Sequence, residues 1–547
     1  MWLLVVLTSY ALLGSASAHA QTIDRAEIDR IVQESTGEDD PGVAVGIVLD
    51  GTTVYEAYRG LAELEHGSPV RRSTRFNIAS NAKQFTALAV LELAQKDALS
   101  LDDDVRKYFP GIFADIEDPI LVRHLITHSS GIRDVYDLWS ISGVTWWQEF
   151  IGNDDAYELL SRQRELNFEP GTDFLYSNSN YILLAGIVER VTGEPFDQAM
   201  RSLLDRASLT STGFYPSYMS VIPDRARGYG NFGSWVAFPA VTEFYGDGWL
   251  FSTLPDQLAW EAEVLSGSGP MPELIASSQQ LRSDAPGSPF GAGIEFGQYR
   301  GADYIYHDGS TGAFNASFSR FPELQLSVVA MSNNAQVSTR NLVNSIVDSV
   351  LADALSATQY PERPDTLEAQ PDNAEVVGLY DNAGTGTLLR IAERDGKLWR
   401  EIEGREPVEL LHEDGNLYRY ESNPDLRMAF SVNGPGSPSL TIYFASQRPL
   451  RATRVVPARS EPDYLAGFAG AYANDETGST FELMIAENKL TLSFLGNLSP
   501  VDMLIEDRID FAGYQLLAAR NEAGNVTGFR LTGGRLRNVW FEKRSEP

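Results

Sequence analysis

The 547-residue chain has no cysteine. That excludes disulfides, thiolate metal sites, cysteine nucleophiles and a lipidated N-terminal cysteine. Positive charge is scarce too: 43 Lys and Arg stand against 75 Asp and Glu, a net charge of −32, which repels nucleic acid and anionic membrane surfaces. Only six of the cations are lysines, at positions 83, 96, 107, 397, 489 and 543. Where a cation alone suffices, this chain mostly uses arginine. Past the N-terminus no apolar run is long enough for a bilayer span. The length and the 43% hydrophobic content predict three or four folded units with an ordinary globular balance.

The first twenty residues have another purpose. Trp2 to Leu13 is apolar, and Gly14 to Ala20 is a run of small residues ending in Ala18-His19-Ala20. This predicts a signal peptide over 1–20 and a periplasmic or secreted mature protein, although no lysine or arginine precedes the apolar core.

Ile28, Ile31 and Val32 mark an amphipathic helix, and Val43–Leu49, an Asp50-Gly51 turn and Thr53–Tyr58 predict a β-hairpin. A helix is expected over Ala82–Leu99. A second strand pair at Phe314–Phe318 and Leu326–Met331 precedes a helix from Thr339 to Leu355. Hairpins and helices at both ends, with helical segments between, predict one α+β domain over 21–357 whose antiparallel sheet is assembled from its two ends. Pro361, Pro364 and Pro371 mark a linker over 358–375.

Beyond it the chain repeats. Gly378, Tyr380, Asn382, Thr385, Gly386, Lys397 and Leu398 recur 92 positions later as Gly470, Tyr472, Asn474, Thr477, Gly478, Lys489 and Leu490. Two small all-β domains, 376–458 and 463–547, are expected, each closed on itself as an antiparallel barrel.

Of the six lysines only Lys83 has a serine three residues before it, in Ser80-Asn81-Ala82-Lys83. At that spacing on a helix the amine reaches the hydroxyl. A hydroxyl attacks only when a base takes its proton, and a desolvated lysine can be that base whereas arginine cannot. The backbone N–H of Ser80 at the helix start can stabilise an oxyanion. Alone, the pattern is more often an N-cap serine and a solvated lysine. Tyr176-Ser177-Asn178, between a Pro170-Gly171 loop and an apolar helix, offers a phenol to relay protons and an amide to hold a substrate carbonyl. His307-Asp308-Gly309 opens the second strand pair, where glycine on an edge strand admits a substrate backbone and the Ser310 N–H can complete the oxyanion hole.

Together the three elements resemble the penicillin-recognising serine hydrolases: class C β-lactamases, D,D-peptidases, related esterases and D-aminopeptidases. Leu125-Ile126-Thr127-His128-Ser129-Ser130-Gly131, Gly246 to Thr253, and Phe290-Gly291-Ala292-Gly293 are similar as well. The resemblance implies a β-lactamase/transpeptidase-like catalytic domain, Ser80 as acylated nucleophile, Lys83 and Tyr176 as acid and base, and Asn178, His307, Gly309 and Ser310 at the substrate. Which of Lys83 and Tyr176 takes the first proton stays open. Histidine stands at 307 where β-lactamases usually carry lysine; neutral, and with Asp308 beside it, it disfavours a substrate carboxylate. The two β-domains match the domain order of D-aminopeptidases, in which a loop of the last domain limits access to the site. The implied activity is an exported D-aminopeptidase or D-amino-acid amidase, with an esterase, a β-lactamase-like or D,D-carboxypeptidase-like hydrolase, or an inactive peptidoglycan-binding homologue as alternatives. The partner is a small molecule or short peptide, peptidoglycan fragments included. No cofactor and no metal are expected: His124 and His128 are four apart, but Leu125 stands where a zincin needs glutamate.

Overall fold

The computed structural model describes residues 23–544 except 216, 239–240, 353–354, 356–362, 383–386, 402–405, 422–425, 435, 437, 445–446, 460, 487–488, 502 and 504. The signal-peptide segment and the repeat residues Thr385 and Gly386 lie outside the described residues.

Val43–Leu49 (β1) and Thr52–Arg59 (β2) pair across a two-residue turn in which Asp50 and Gly51 both take positive φ, 50° and 69°. A tight hairpin needs that geometry, because it matches the twist of the flanking strands. Glu295–Tyr299 (β3), Ala302–Thr311 (β4), Phe314–Phe321 (β5) and Leu326–Ser332 (β6) complete a six-stranded sheet in the order β3-β4-β5-β6-β1-β2. β6 pairs with β1 from Val43↔Ser332 to Leu49↔Leu326, so the sheet joins both ends of the domain.

The helices around it are Arg25–Ser35 (α1), Lys83–Gln95 (α2), Val135–Ile141 (α3), Asn178–Thr192 (α4), Leu254–Ser266 (α5) and Thr339–Val350 (α6), with further short helices between. Alternation along β1 builds two cores: Ala44 and Val48 join the large one shared with α2, α4 and α5, while Val43, Val45 and Ile47 join the one under α1 and α6. A Cβ at Gly46 would come 2.5 Å from Leu258 of α5, so glycine at that position lets the helix lie close on the strand. α2 ends earlier than expected, at Gln95, because Asp97 takes a left-handed φ of 55° and turns Leu99 back into the core. No helix among the described residues is long and apolar enough to cross a membrane.

Residues 378–455 form a closed eight-stranded antiparallel barrel around its own core, with Tyr380, Leu389, Phe430 and Leu440 inside. The second repeat departs from the expected closed barrel. Its eight strands run from Asn497–Pro500 at one edge to Arg508–Phe511 at the other, and among the described residues these edges do not pair, so the sheet is open. Tyr472, Phe481, Phe529 and Phe541 pack on one another inside it, and its core is contiguous with the large apolar cluster of the first domain, where the barrel's core is separate.

Candidate active site

Ser80 lies in a short 3₁₀ turn, Ala79–Ala82, that leads directly into α2. Ala79 takes φ 48° and its N–H is held by the Asn77 side chain at 2.9 Å. Lys83, the first residue of α2, is fully buried. Its amine donates to Ser80 Oγ at 3.0 Å, to Asn178 Oδ1 at 2.9 Å and to the Asp247 carbonyl at 2.6 Å. Burial pushes its pKa down to about 7; the Asp247 and Asp134 carboxylates work against this and the Arg535 cation reinforces it.

Tyr176 sits in the loop before α4. Its ring packs on His128, with centroids 4.3 Å apart, and lies 5.0 Å from Lys83 Nζ and 4.9 Å from the Arg535 guanidinium. Burial raises the pKa of the phenol, with Ser80 and Arg535 opposing, so it stays protonated through the neutral range. Asn178 opens α4, and Asp134 fixes it twice: the carboxylate accepts the Asn178 backbone N–H at 2.7 Å and its Nδ2 at 2.9 Å. The amide oxygen is thereby turned to Lys83. Asn178, expected to hold a substrate carbonyl, is bonded to Lys83 and Asp134 and lines the first cavity described below.

On the facing wall, β4 is the second strand of the sheet and not its edge. Its pairing with β3 begins at Tyr306, opposite Glu295, so His307 to Thr311 have no strand on that side. The β4–β5 hairpin closes with the pair Thr311↔Phe314, and the alternation from it turns the N–H and C=O of Ser310 and Asp308 toward the unpaired side. Gly309 serves a different approach from the one expected: a Cβ there would come 2.4 Å from Ile78 O and 3.0 Å from Ser80 N, so glycine admits the nucleophile turn. His307 is buried, its Nδ1 lies 2.7 Å from the Asp308 carbonyl oxygen, and its Nε2 has no hydrogen-bond partner. Burial, then the Lys83 charge, lowers its pKa to about 3. Asp308, whose carboxylate takes Ser317 Oγ at 2.6 Å and Arg340 Nε at 2.9 Å, works against this lowering through its carbonyl bond to the ring and its charge.

Two cavities of about 480 and 500 Å³ meet at this point, and Ser80, Ser310 and Arg535 line both. Asn178 and Asp247 line the first, with the aromatic side chains of Tyr136, Trp146, Phe244 and Trp249. Tyr176 and His307 line the second.

Four residues at the site carried no assigned role from sequence: Asp134, Asp137, Asp247 and Arg535. Asp247 falls in the Gly246–Thr253 segment, so that motif was its signal. Arg535 had none, because it arrives from the last domain, at the turn between strands Val526–Gly533 and Leu536–Lys543. Its N–H donates to Asp137 Oδ2 at 2.6 Å and its guanidinium lies 3.2 Å from Asp134 Oδ2. His128 proves to be a support: its Nδ1 accepts from Ser177 N at 3.2 Å and from Asn180 Nδ2 at 3.0 Å beneath Tyr176. Among the described residues no three His, Cys, Asp or Glu side chains gather as a metal site would require.

Comparison with known proteins places this arrangement. A D-aminopeptidase of Cereibacter sphaeroides is 26% identical over 533 residues, spanning 92% of this chain and 95% of that protein. A D-aminopeptidase of Gluconobacter oxydans is 28% identical over 364 residues, 65% of this chain and 66% of the relative. The octameric penicillin-binding protein homologue of Pyrococcus abyssi shares the fold, with a TM-score of 0.56 at 20% identity over 79% of this chain and all of that one. The Beta-lactamase family model matches residues 28–350, which is more than half of the sequence and contains Ser80, Lys83, Tyr176 and His307, and the chain therefore belongs to the Beta-lactamase family.

Proposed function

We propose that this protein is an exported serine hydrolase that cleaves amide bonds through an ester on Ser80, with D-aminoacyl amides or short peptides as substrates: a D-aminopeptidase or D-amino-acid amidase. The observation that carries the reading is the buried Lys83 amine, 3.0 Å from Ser80 Oγ and with its pKa lowered to about 7. At neutral pH a large share of it is the free base, whereas Tyr176 remains a phenol.

The chemistry follows from those two states. Lys83 takes the Ser80 proton as Oγ attacks the carbonyl carbon, and the N–H groups of Ser80 and Ser310 receive the oxyanion. Tyr176, on the second cavity with His307, passes a proton to the leaving nitrogen and regains one from the Lys83 ammonium. The C–N bond breaks, the amine departs, and water attacks the ester with the same groups in reverse. The second cavity thus receives the leaving group and the first, lined by aromatic rings, the acyl group. The acyl preference for a D-residue with a free amine draws on the D-aminopeptidase relatives, and export on the N-terminal segment.

Intact-mass analysis after mixing with D-alanine amide, D- and L-alanine p-nitroanilide, a short-chain ester and a chromogenic cephalosporin tests it. The expected result is a transient acyl mass on the D-amides that is absent in Ser80→Ala. Acylation by the ester alone would remove the peptidase reading, and recovery of the protein only from the cytoplasm, with its N-terminus at Met1, would remove export.

A further inference from the structure

Resting on the hydrolase reading above, the acyl cavity has more negative than positive charge to offer a guest. Asp134, Asp137 and Asp247 gather there, against Arg535 and a Lys83 that is neutral whenever it acts as base. Two of the three carboxylates are already engaged. The Asp134 side chain is fully buried and bonded to the Asn178 N–H, to its Nδ2 and to the Arg535 guanidinium. Asp247 is 6% exposed, and its Oδ2 takes the Tyr136 hydroxyl at 2.9 Å. Asp137 differs: it is half-buried, lines the cavity with Ser80, and uses Oδ2 to accept the Arg535 N–H at 2.6 Å. Its Oδ1 has no hydrogen-bond partner among the described residues, yet it is not enclosed as Asp247 Oδ1 is. Burial, and then the Asp134 charge, disfavour this carboxylate as an anion, so a cation arriving at Oδ1 is stabilising. The Arg535 guanidinium does not fill that place, because it turns to Asp134 and over the Tyr176 ring and meets Asp137 through its backbone.

We propose that Asp137 holds the free ammonium of the acyl residue and makes this site select substrates with an unblocked amine over N-acylated and deamino ones. With the carbonyl carbon at Ser80 Oγ, the α-amine is one carbon removed from the reacting centre and lies in the first cavity. The wall beside Asp137 is aromatic. Tyr136 is fixed by its bond to Asp247, its ring 4.4 Å from Trp146 and edge-on to Phe244 at 5.2 Å. Such rings keep water from an ion pair and attract a cation to their faces. An N-acylated amine is neutral and brings no charge to Oδ1, and a deamino acyl group leaves the carboxylate alone in a cavity its own chain has dried. The last domain orients the anchor. A Cβ at Gly534 would come 2.7 Å from Asp137 Oδ2, so glycine there lets the turn lie on the carboxylate and leaves Oδ1 to the guest.

The test compares the p-nitroanilides of D-alanine, N-acetyl-D-alanine and propionic acid in the full-length enzyme and in Asp137→Asn. The asparagine keeps an oxygen for the Arg535 N–H and removes only the charge. Loss of one charge-assisted bond predicts that the kcat/KM ratio of the D-alanyl to the propionyl substrate falls about 10- to 100-fold in Asp137→Asn. The ratio cancels general damage to the site, which lowers both substrates alike. The penalty for acetylating the amine should shrink in the same variant. A ratio that Asp137→Asn leaves in place, or an unaltered enzyme that takes the D-alanyl and propionyl substrates equally, overturns the anchor. Labelling of Ser80 by an active-site phosphonate separates the two levels. If it is intact in both proteins, a negative result concerns Asp137 alone; if it is absent in the unaltered enzyme, the hydrolase reading falls and this inference falls with it. If it is lost only in Asp137→Asn, the same ratio is read in Asp137→Ser, whose hydroxyl also accepts the Arg535 N–H, and the same outcomes decide.

Discussion

Tyr380 of the closed barrel donates its hydroxyl to the Val376 carbonyl four residues back at 2.8 Å, and Tyr472 of the open sheet makes the same bond to Phe468 at 2.6 Å. Leu398 and Leu490, each next to a strand-initial lysine, are buried to the same 2%. The local folding unit is therefore one design used twice. Their surroundings differ. The barrel keeps a core of its own, while the second sheet stays open and merges its core with that of the catalytic domain. The second copy also sets arginines on catalytic-domain acids, Arg535 on Asp134 and Arg537 on Asp173. The residues between the corresponding last two strands of the barrel, Ser439–Phe444 and Gln447–Val455, are Ala445 and Ser446, with no charge. What repeats is the part that folds, and what does not repeat is the part that reaches the active site.

The strongest way to break this comparison is to damage each core in turn. Phe541 and Phe430 are both essentially inaccessible, and truncating either to alanine costs about 3–5 kcal/mol. Phe541→Ala should lower the calorimetric transition of the catalytic domain and its activity together, because the cluster is continuous. Phe430→Ala should lower only the transition of the barrel and leave phosphonate labelling of Ser80 intact. A catalytic transition unmoved by Phe541→Ala would mean that the shared core does not couple the two domains.

A smaller effect is expected at the ionic seam. Arg133 is 1% exposed and bonds Glu476 of the second sheet at 2.8 Å and Glu165 of its own domain at 3.4 Å. Glu476→Ala leaves the buried guanidinium with Glu165 as its remaining carboxylate and only long bonds to Asn538 O at 3.4 Å and Gln163 Oε1 at 3.5 Å, and removing one partner of a buried pair costs about 3 kcal/mol. Chemical denaturation should report that loss, and Arg133→Met combined with Glu476→Leu should recover most of it. A double variant no better than the single one would show that the seam is held by packing and not by charge.

The third effect is on chemistry. Arg535 disfavours the Lys83 ammonium beside it, so removing its charge lets Lys83 hold its proton to higher pH. In Arg535→Gln the acidic limb of kcat/KM, which reports Lys83 losing its proton near pH 7 in the unaltered enzyme, should move upward. Activity at pH 6.5 should fall several-fold while the alkaline plateau changes little. Arg454→Gln in the barrel should leave the limb in place. A downward shift in Arg535→Gln would contradict the sign of the interaction.

The same contrast explains what could be read from the sequence. Lys83 stood out because arginine cannot do what a desolvated amine does, and the two hairpins of the sheet followed from short apolar stretches flanking turn residues. The tandem repeat was legible as identities. The open edge of the second sheet was not, because the alternation that marks its strands does not say whether the first and last of them meet. Arg535 was hidden too: nothing local distinguishes it from the other arginines of its hairpin. Asp308 was legible as a charge next to His307 but its anchorage was not: strand alternation sends its carboxylate to the opposite face, where Arg340 takes it.

The smallest expected effect lies where the two copies touch each other. Arg508 of the second sheet holds Asp381 of the barrel at 2.5 and 3.2 Å, and its own neighbour Asp510 at 3.0 and 3.1 Å. Asp381 follows Tyr380, and the residue at its place in the second copy is Ala473, so this contact belongs to the barrel alone. Because Asp510 remains after Asp381→Asn, the guanidinium is not stranded, and the cost should be about 1 kcal/mol or less. Its signature is separation: the barrel should melt further apart from the rest in calorimetry, with kcat/KM unchanged on every substrate. If kcat/KM falls in Asp381→Asn, the barrel acts on the site through the second sheet, and the division between a folding copy and a functional copy has to be redrawn.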